Sequence, residues 1–168
     1  MCLPKLYDEH RHFFEAKGLV NGIEKHTQKI ENYVPNDVEV NGLTFYTGPN
    51  SGGKTSLSKA IAQAQVLAQI GAYIPATSAN IGLADKIFYQ VGRNDTMDDK
   101  EGGFGTQLQH SSKIFYGSTP KSLVIIDDLI DGTSYEDKTR MTRNALSGYS
   151  HIGNSLIYVS HHHELAKE

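Results

Sequence analysis

The feature that most constrains the fold is a glycine-rich segment, Gly48-Pro-Asn-Ser-Gly-Gly-Lys-Thr55. It fits the pattern G-x-x-x-x-G-K-[ST], in which backbone N–H groups cradle phosphates while the lysine and the hydroxyl reach phosphate and Mg²⁺. The β-prone run Leu43–Thr47 precedes it, and residues 53–69 follow with apolar residues at helical spacing. A strand, a glycine-rich turn and a helix together favour anion binding at the start of the helix. The predicted phosphate-binding residues are Gly48, Pro49, Asn50, Ser51, Gly52, Gly53, Lys54 and Thr55.

Further along the chain, β-prone runs alternate with helical patterns. We predict strands at Asp85–Val91, Leu123–Ile126 and Ser155–Val159, helices around Phe104–Phe115 and Met141–Tyr149, and a polar loop at Gly92–Gly105. Residues 1–33 are charged and mixed, and we expect helix and loop there. This alternation predicts an α/β fold, a P-loop NTPase with a parallel or mixed sheet flanked by helices.

Two adjacent carboxylates, Asp127 and Asp128, directly follow the apolar run Leu123–Ile126. Acids at the end of a buried strand cost solvation energy unless a cation or a reacting water uses them. In folds with such a phosphate loop, we expect this strand to lie beside the loop and its terminal acid, Asp127, to bind Mg²⁺ together with Thr55. Asp128 is then placed to orient or activate water.

Composition limits which other classes of protein this chain could belong to. The chain has 168 residues, a net charge of -3 and 38% hydrophobic residues, which suits one domain and argues against a broad basic nucleic-acid surface. No apolar run approaches the roughly 18 residues of a transmembrane helix, so we expect no membrane association. Cys2 is the only cysteine, and no secretory signal opens the sequence, so we expect a cytoplasmic protein.

Several segments, taken in order, resemble the ATPase domain of the MutS family of DNA mismatch-repair proteins over roughly residues 33 to 165. The segments are Tyr33–Asp37, Thr47–Lys54 with its Pro-Asn pair, Ala68–Ala76, Ile81–Phe88, Asp131–Ser134 and Ser160–Leu165. This resemblance implies an ABC-type ATPase that uses ATP and Mg²⁺. It also implies that Tyr33 and Asn36 lie near the adenine and that His161 senses the γ-phosphate. Lys54, Asp128 and His161 are the implied catalytic residues.

The resemblance further implies a homodimer or a MutS-like partner subunit, with DNA contacted mainly by regions outside this chain. We expect residues 1–32 to be the end of a preceding helical region or a linker. Residues 33–168 would be an ATPase domain truncated at its C-terminus, a fragment of a longer chain.

Two departures from the family pattern bear on hydrolysis. Asp128 stands where the family usually has Glu, and Gly102 stands where a Ser reaches the partner's γ-phosphate. The Gly-Phe-Gly-Thr loop that contains Phe104 is similar to that of divergent MutS-like branches. A nucleotide-binding switch without efficient hydrolysis therefore stays open as an alternative. A small-molecule kinase is the weaker alternative, because Arg93 is the only arginine between Gly48 and Arg140 that could serve a lid.

Overall fold

A computed structural model describes residues 1–27, 33–49, 52–91, 103–127 and 135–160. These residues form two β-sheets with helices packed against them. In chain order the elements are β1 (Lys5–Tyr7), β2 (Phe14–Leu19), α1 (Gly22–Thr27), β3 (Asn36–Val40), β4 (Leu43–Thr47), α2 (Lys54–Gln69), β5 (Ser78–Gly82), β6 (Ile87–Val91), α3 (Gly103–Gly117), β7 (Leu123–Asp127), α4 (Tyr135–Ile152) and β8 (Ser155–Ser160). The α/β class predicted from the alternation is confirmed.

The first sheet is parallel throughout and has the order β4-β8-β7-β6. Every residue of β7 and β8 is buried, because both strands are covered on both faces, as their continuous apolar sequences predict. β8 lies between β4 and β7, so the acidic strand does not pair with the strand that precedes the phosphate loop. Two strand spacings, roughly 10 Å, separate β4 from β7. Their carboxyl ends still meet at one edge of the sheet.

The second sheet is mixed, with the order β1-β5-β2-β3, in which β1 and β5 are parallel and the other pairs antiparallel. Residues 5–7 and 14–19 are therefore strands, and the helix and loop predicted for residues 1–33 are wrong there. In β2 the buried Phe14 and Ala16 alternate with the exposed Glu15 and Lys17, a pattern of period two that the charges obscure. The boundary predicted between residues 32 and 33 stays a prediction, and strands from both sides of it share this sheet.

Helix α2 packs between the two sheets. Its predicted apolar face, with Ile61, Ala64 and Ala68, is buried in one cluster with residues of both sheets, among them Leu19 and Ile157. The helix predicted over residues 53–69 is confirmed. This packing fixes α2, and therefore the loop that precedes it, against the carboxyl edge of the parallel sheet.

Helices α3 and α4 cover the opposite face of the parallel sheet. Leu146 and Tyr149 of α4 pack with Val124 and Tyr158 of the sheet, and Phe115 of α3 joins them. α3 begins at Gly103, so the last residues of the loop predicted over 92–105 are helical, while residues 92–102 lie outside the described part. Among the described residues, no helix has both the length and the apolar character needed to cross a membrane.

Candidate functional site

The loop between β4 and α2 delivers the start of the helix to the sheet edge. Gly53 is the N-terminal cap residue of α2 and has φ 76°, in the left-handed region that favours glycine. Gly52 N–H donates to Pro49 O at 2.9 Å, and a Cβ on Gly52 would lie 3.0 Å from that oxygen. The glycine cap has no side chain, and no other side chain among the described residues caps the helix, so its first amides can bind an anion.

Lys54 folds over this loop. Its Nζ donates to the carbonyl oxygens of Gly48 at 2.6 Å and Pro49 at 2.7 Å, and the residue is only 8% exposed. A cation held this far from solvent needs polar partners, and the two carbonyl oxygens supply them. The amine is thus positioned within the concave side of the loop, where a phosphate oxygen would meet it.

A cavity of about 790 Å³ borders the loop. Its lining includes Gly52, Gly53 and Lys54, together with Tyr33 and Asn36 from the start of β3 and the residues before it. Five of the predicted site residues from two distant parts of the sequence therefore line one cavity. Its volume is within the range of small-molecule sites, about 300–1,000 Å³.

Asn36 and Tyr33, the two residues predicted to lie near the adenine, make different hydrogen bonds. The Asn36 side chain donates to Val34 O at 3.0 Å, a local turn contact. The Tyr33 hydroxyl lies 2.7 Å from Ser56 Oγ in the first turn of α2. Tyr33 is therefore tied to the helix that carries the loop.

Asp127 ends β7 with its side chain largely buried, at 9% exposure. Burial raises the pKa of the Tyr89 phenol, the charges of Asp127 and Glu24 raise it further, and its hydrogen bond with Ser58 opposes them. The Tyr89 hydroxyl lies 2.9 Å from Ser58 Oγ, which donates to Thr55 O at 3.0 Å. Asp127 is therefore close enough to raise the pKa of a tyrosine that is hydrogen-bonded to Ser58 of α2.

The two residues predicted to hold Mg²⁺, Thr55 and Asp127, are oxygen donors, the kind of ligand that this ion takes. Asp127 supplies a buried carboxylate at the sheet edge, and Thr55 lies in the first turn of α2. Within the described ranges, no group of three or more His, Cys, Asp or Glu side chains is placed to hold a metal. Mg²⁺ is usually bound through one or two carboxylates, keeps several waters and takes further oxygens from substrate phosphates.

Four predicted site residues, Asn50, Ser51, Asp128 and His161, lie outside the described residues. Their roles stay predictions.

The structure adds two residues that sequence reasoning did not select, Glu24 and Ser56, both of which line the cavity. Ser56 directly follows the glycine-rich motif, and this position in the sequence could have identified it as a site residue. Glu24 lies in a charged segment in which no pattern distinguishes it.

The sequence is similar to that of known proteins over most of its length. Residues 44–168 match the sequence model of MutS domain V. The DNA mismatch repair protein MutS of Desulforamulus reducens is 33% identical over 158 residues, covering 91% of this chain and 18% of that protein. Msh3 of Aspergillus fumigatus, also a DNA mismatch repair protein, is 36% identical over 142 residues, covering 82% of this chain and 13% of its own length. This chain thus spans less than a fifth of either relative, and it belongs to the MutS family, within which it corresponds to domain V.

Proposed function

We propose that this domain binds ATP with Mg²⁺ in the cavity beside the glycine-rich loop, as a P-loop NTPase of the ABC type. The observation that carries the proposal is the meeting of Lys54, the open N-terminus of α2 and Tyr33 on one cavity. A triphosphate at the loop and an aromatic side chain on the same cavity match the two halves of a nucleotide. The parallel sheet, with the loop and Asp127 at its carboxyl edge, supports the same class of fold.

In this proposal, backbone amides of the loop and the Lys54 amine bind the phosphates. Thr55 and Asp127 would hold Mg²⁺, which supplies neutralisation of charge on the β- and γ-phosphate oxygens. Tyr33 and Asn36 would contact the adenine. Gly48, Pro49, Asn50, Ser51, Gly52 and Gly53 complete the proposed phosphate contacts.

For hydrolysis, Asp128 would position a water molecule for in-line attack on the γ-phosphorus, and His161 would contact the γ-phosphate. The water oxygen forms the new bond to phosphorus as the bond to the ADP oxygen breaks. Asp is one methylene shorter than the Glu usual in this family, and a small misplacement of the nucleophile can cost about 10²-fold in rate. A nucleotide-binding switch with slow turnover is therefore the second candidate function.

At the level of the whole protein, we propose that nucleotide binding closes a dimer and that hydrolysis releases it, coupling the nucleotide state to DNA contacts made elsewhere. The relatives named above are DNA mismatch repair proteins. We also propose that the chain belongs to a divergent MutS-like branch, because Asp128 and Gly102 depart from the family pattern.

The test is phosphate release from ATP with Mg²⁺, measured per subunit over a range of protein concentrations. A site shared between subunits predicts a rate per subunit that rises with concentration, and Asp128→Glu is expected to raise it further. Binding of ATP without turnover, restored by Asp128→Glu, would identify the switch instead. Failure of the wild-type protein to bind ATP at all would refute the proposed function.

A further inference from the structure

The carboxylate of Glu24, which lies outside the glycine-rich motif, is hydrogen-bonded to another residue that lines the cavity. Ser56 Oγ donates a hydrogen bond to Glu24 Oε2, and the Tyr33 hydroxyl lies 2.7 Å from the same Ser56 oxygen. A serine hydroxyl has one proton. Since that proton goes to Glu24, Tyr33 is the donor to Ser56. The hydrogen bonds therefore run from Tyr33 through Ser56 and end on the Glu24 carboxylate.

The side chain of Asn21 supports this arrangement through two further hydrogen bonds. It is fully buried, its Oδ1 accepts a hydrogen bond from Glu24 N–H at 3.1 Å, and its Nδ2 donates to Ser56 O at 3.2 Å. One side chain thus holds the backbones of Glu24 and Ser56 in register. A polar group supported in this way is preorganised for a ligand, because few of its torsions remain to be ordered on binding.

The carboxylate has capacity left for a ligand. Glu24 is half-buried and lines the cavity, and among the residues the structure describes its second oxygen, Oε1, has no hydrogen-bond partner. An ionised carboxylate only accepts hydrogen bonds, so the ligand group that meets it must be a donor. A phosphate does not qualify, whereas a sugar hydroxyl does.

The position of Ser56 indicates which part of a bound nucleotide would lie beside Glu24. Ser56 follows directly on Lys54 and Thr55, which are assigned to the phosphates and Mg²⁺, and it hydrogen-bonds Tyr33, which is assigned to the base. The sugar lies between the phosphates and the base. Acidic side chains bind ribose hydroxyls in this way in dinucleotide-binding folds.

We propose that Glu24 accepts a hydrogen bond from a ribose hydroxyl, so that the site prefers ribonucleotides to their deoxy forms. This inference rests on the proposed function and adds a determinant of sugar specificity to it. Glu24 is a residue of the binding site in this account and takes no part in phosphoryl transfer.

The test uses diphosphates, which lack the γ-phosphate that the proposed hydrolysis removes. Isothermal titration calorimetry with Mg²⁺ compares ADP, 2′-deoxy-ADP and 3′-deoxy-ADP on the wild type, on Glu24→Ala and on Glu39→Ala. Glu39 lies exposed in β3 and controls for the loss of one negative charge. A hydrogen bond to a charged group supports a preference of about tenfold or more for ADP over one deoxy analogue. Glu24→Ala should abolish that preference by weakening ADP and the analogue that keeps the contacted hydroxyl, while the analogue that lacks it is unchanged. Glu39→Ala should retain the preference.

Glu24→Gln keeps the shape and one acceptor oxygen, so it should fold even if the alanine variant does not and should show a reduced preference. Equal affinities of the wild type for all three diphosphates would overturn the inference while leaving nucleotide binding intact. A change of all three by the same factor in both Glu24→Ala and Glu24→Gln would also overturn it, because relief of repulsion with phosphate would then explain the effect. If Glu24→Ala instead removes a preference for ADP over IDP, the carboxylate contacts the adenine amino group and the ribose assignment is wrong. Absence of binding to any of these nucleotides would refute the proposed function itself.

Discussion

The hydroxyl groups of Tyr33 and Ser56 lie 2.7 Å apart, although 23 positions separate the two residues in the chain. This hydrogen bond joins the segment before β3 to the first turn of α2. It brings the residues assigned to the base and those assigned to the phosphates to one cavity.

Two substitutions at Tyr33 separate the role of its ring from that of its hydroxyl. Tyr33→Phe keeps the ring, so ADP affinity should change by less than about threefold, as expected for one neutral hydrogen bond. Tyr33→Ala removes the stacking surface and should weaken ADP by about tenfold, since base–aromatic stacking contributes roughly 1–3 kcal/mol. Calorimetric titration measures both. Equal losses in the two variants would contradict placement of the ring against the base.

Gly53 is expected to be needed for its backbone conformation alone. Its φ is 76°, and a Cβ added there would meet no atom within 4 Å. Gly53→Ala should therefore cost about 1–2 kcal/mol of stability through the left-handed conformation, which corresponds to a fall of roughly 2–8 °C in Tm for a domain of this size.

Gly105, in α3, is the matched control, because a Cβ there also meets open space and its φ is not positive. Gly105→Ala should leave Tm unchanged or raise it, as expected for glycine replaced within a helix. Thermal unfolding followed by circular dichroism compares the two variants. Similar changes in both would show that the conformation of Gly53 is not limiting.

The contact between α3 and α4 depends on Gly148. An added Cβ would lie 2.6 Å from a ring carbon of Phe115, whose ring also packs edge-on against Tyr149 at a centroid distance of 5.1 Å. We expect Gly148→Ala to destabilise the domain by about 1–3 kcal/mol through overpacking. Combining it with Phe115→Leu should recover part of the loss. Denaturant unfolding of the two variants checks this, and an unchanged midpoint in Gly148→Ala would contradict the close packing.

His12 should make stability depend on pH. Burial lowers its pKa below the ordinary 6.5, with opposing contributions from the Gln65 hydrogen bond and the Asp85 charge. Its Nδ1 has no hydrogen-bond partner among the described residues, and Nε2 lies 3.1 Å from Gln65 Oε1. Because the unfolded chain binds the proton more readily than the folded one, this contribution is complete above pH 6.5. It is lost as the pH falls from there through the folded-state pKa.

Urea unfolding at pH 7.5 and pH 5 should therefore show a smaller loss of stability on acidification in His12→Gln than in the wild type. His10→Gln, at an exposed position, is the control and should behave as the wild type does. An identical loss in His12→Gln and the wild type would contradict the account of His12.

Local sequence patterns predicted part of this fold for identifiable physical reasons. The apolar runs of β7 and β8 are strands buried on both faces, and α2 has both a glycine-rich start and a helical apolar face. β2 was missed because its inward residues alternate with Glu15 and Lys17, and its partners β3 and β5 are distant in sequence. Pairing of this kind is decided by tertiary contacts and leaves little local signal.

The residues of the candidate site, too, could be predicted from the sequence only in part. The motif around Lys54 carries its chemistry in a fixed spacing, so a sequence alone is enough to predict its residues. Glu24 and Asn21 act through hydrogen bonds to Ser56, more than 30 positions away. No pattern in a single sequence reports such a contact.

The most direct test of the central claim is the calorimetric affinity for ADP with Mg²⁺ of the wild type, Lys54→Ala and Lys59→Ala. Lys59 lies exposed on the same helix and controls for the loss of one positive charge. A charge-assisted hydrogen bond from Lys54 to phosphate predicts a loss of about tenfold or more in Lys54→Ala, with the affinity of Lys59→Ala close to that of the wild type. Equal affinities of all three proteins would contradict a phosphate site at the glycine-rich loop.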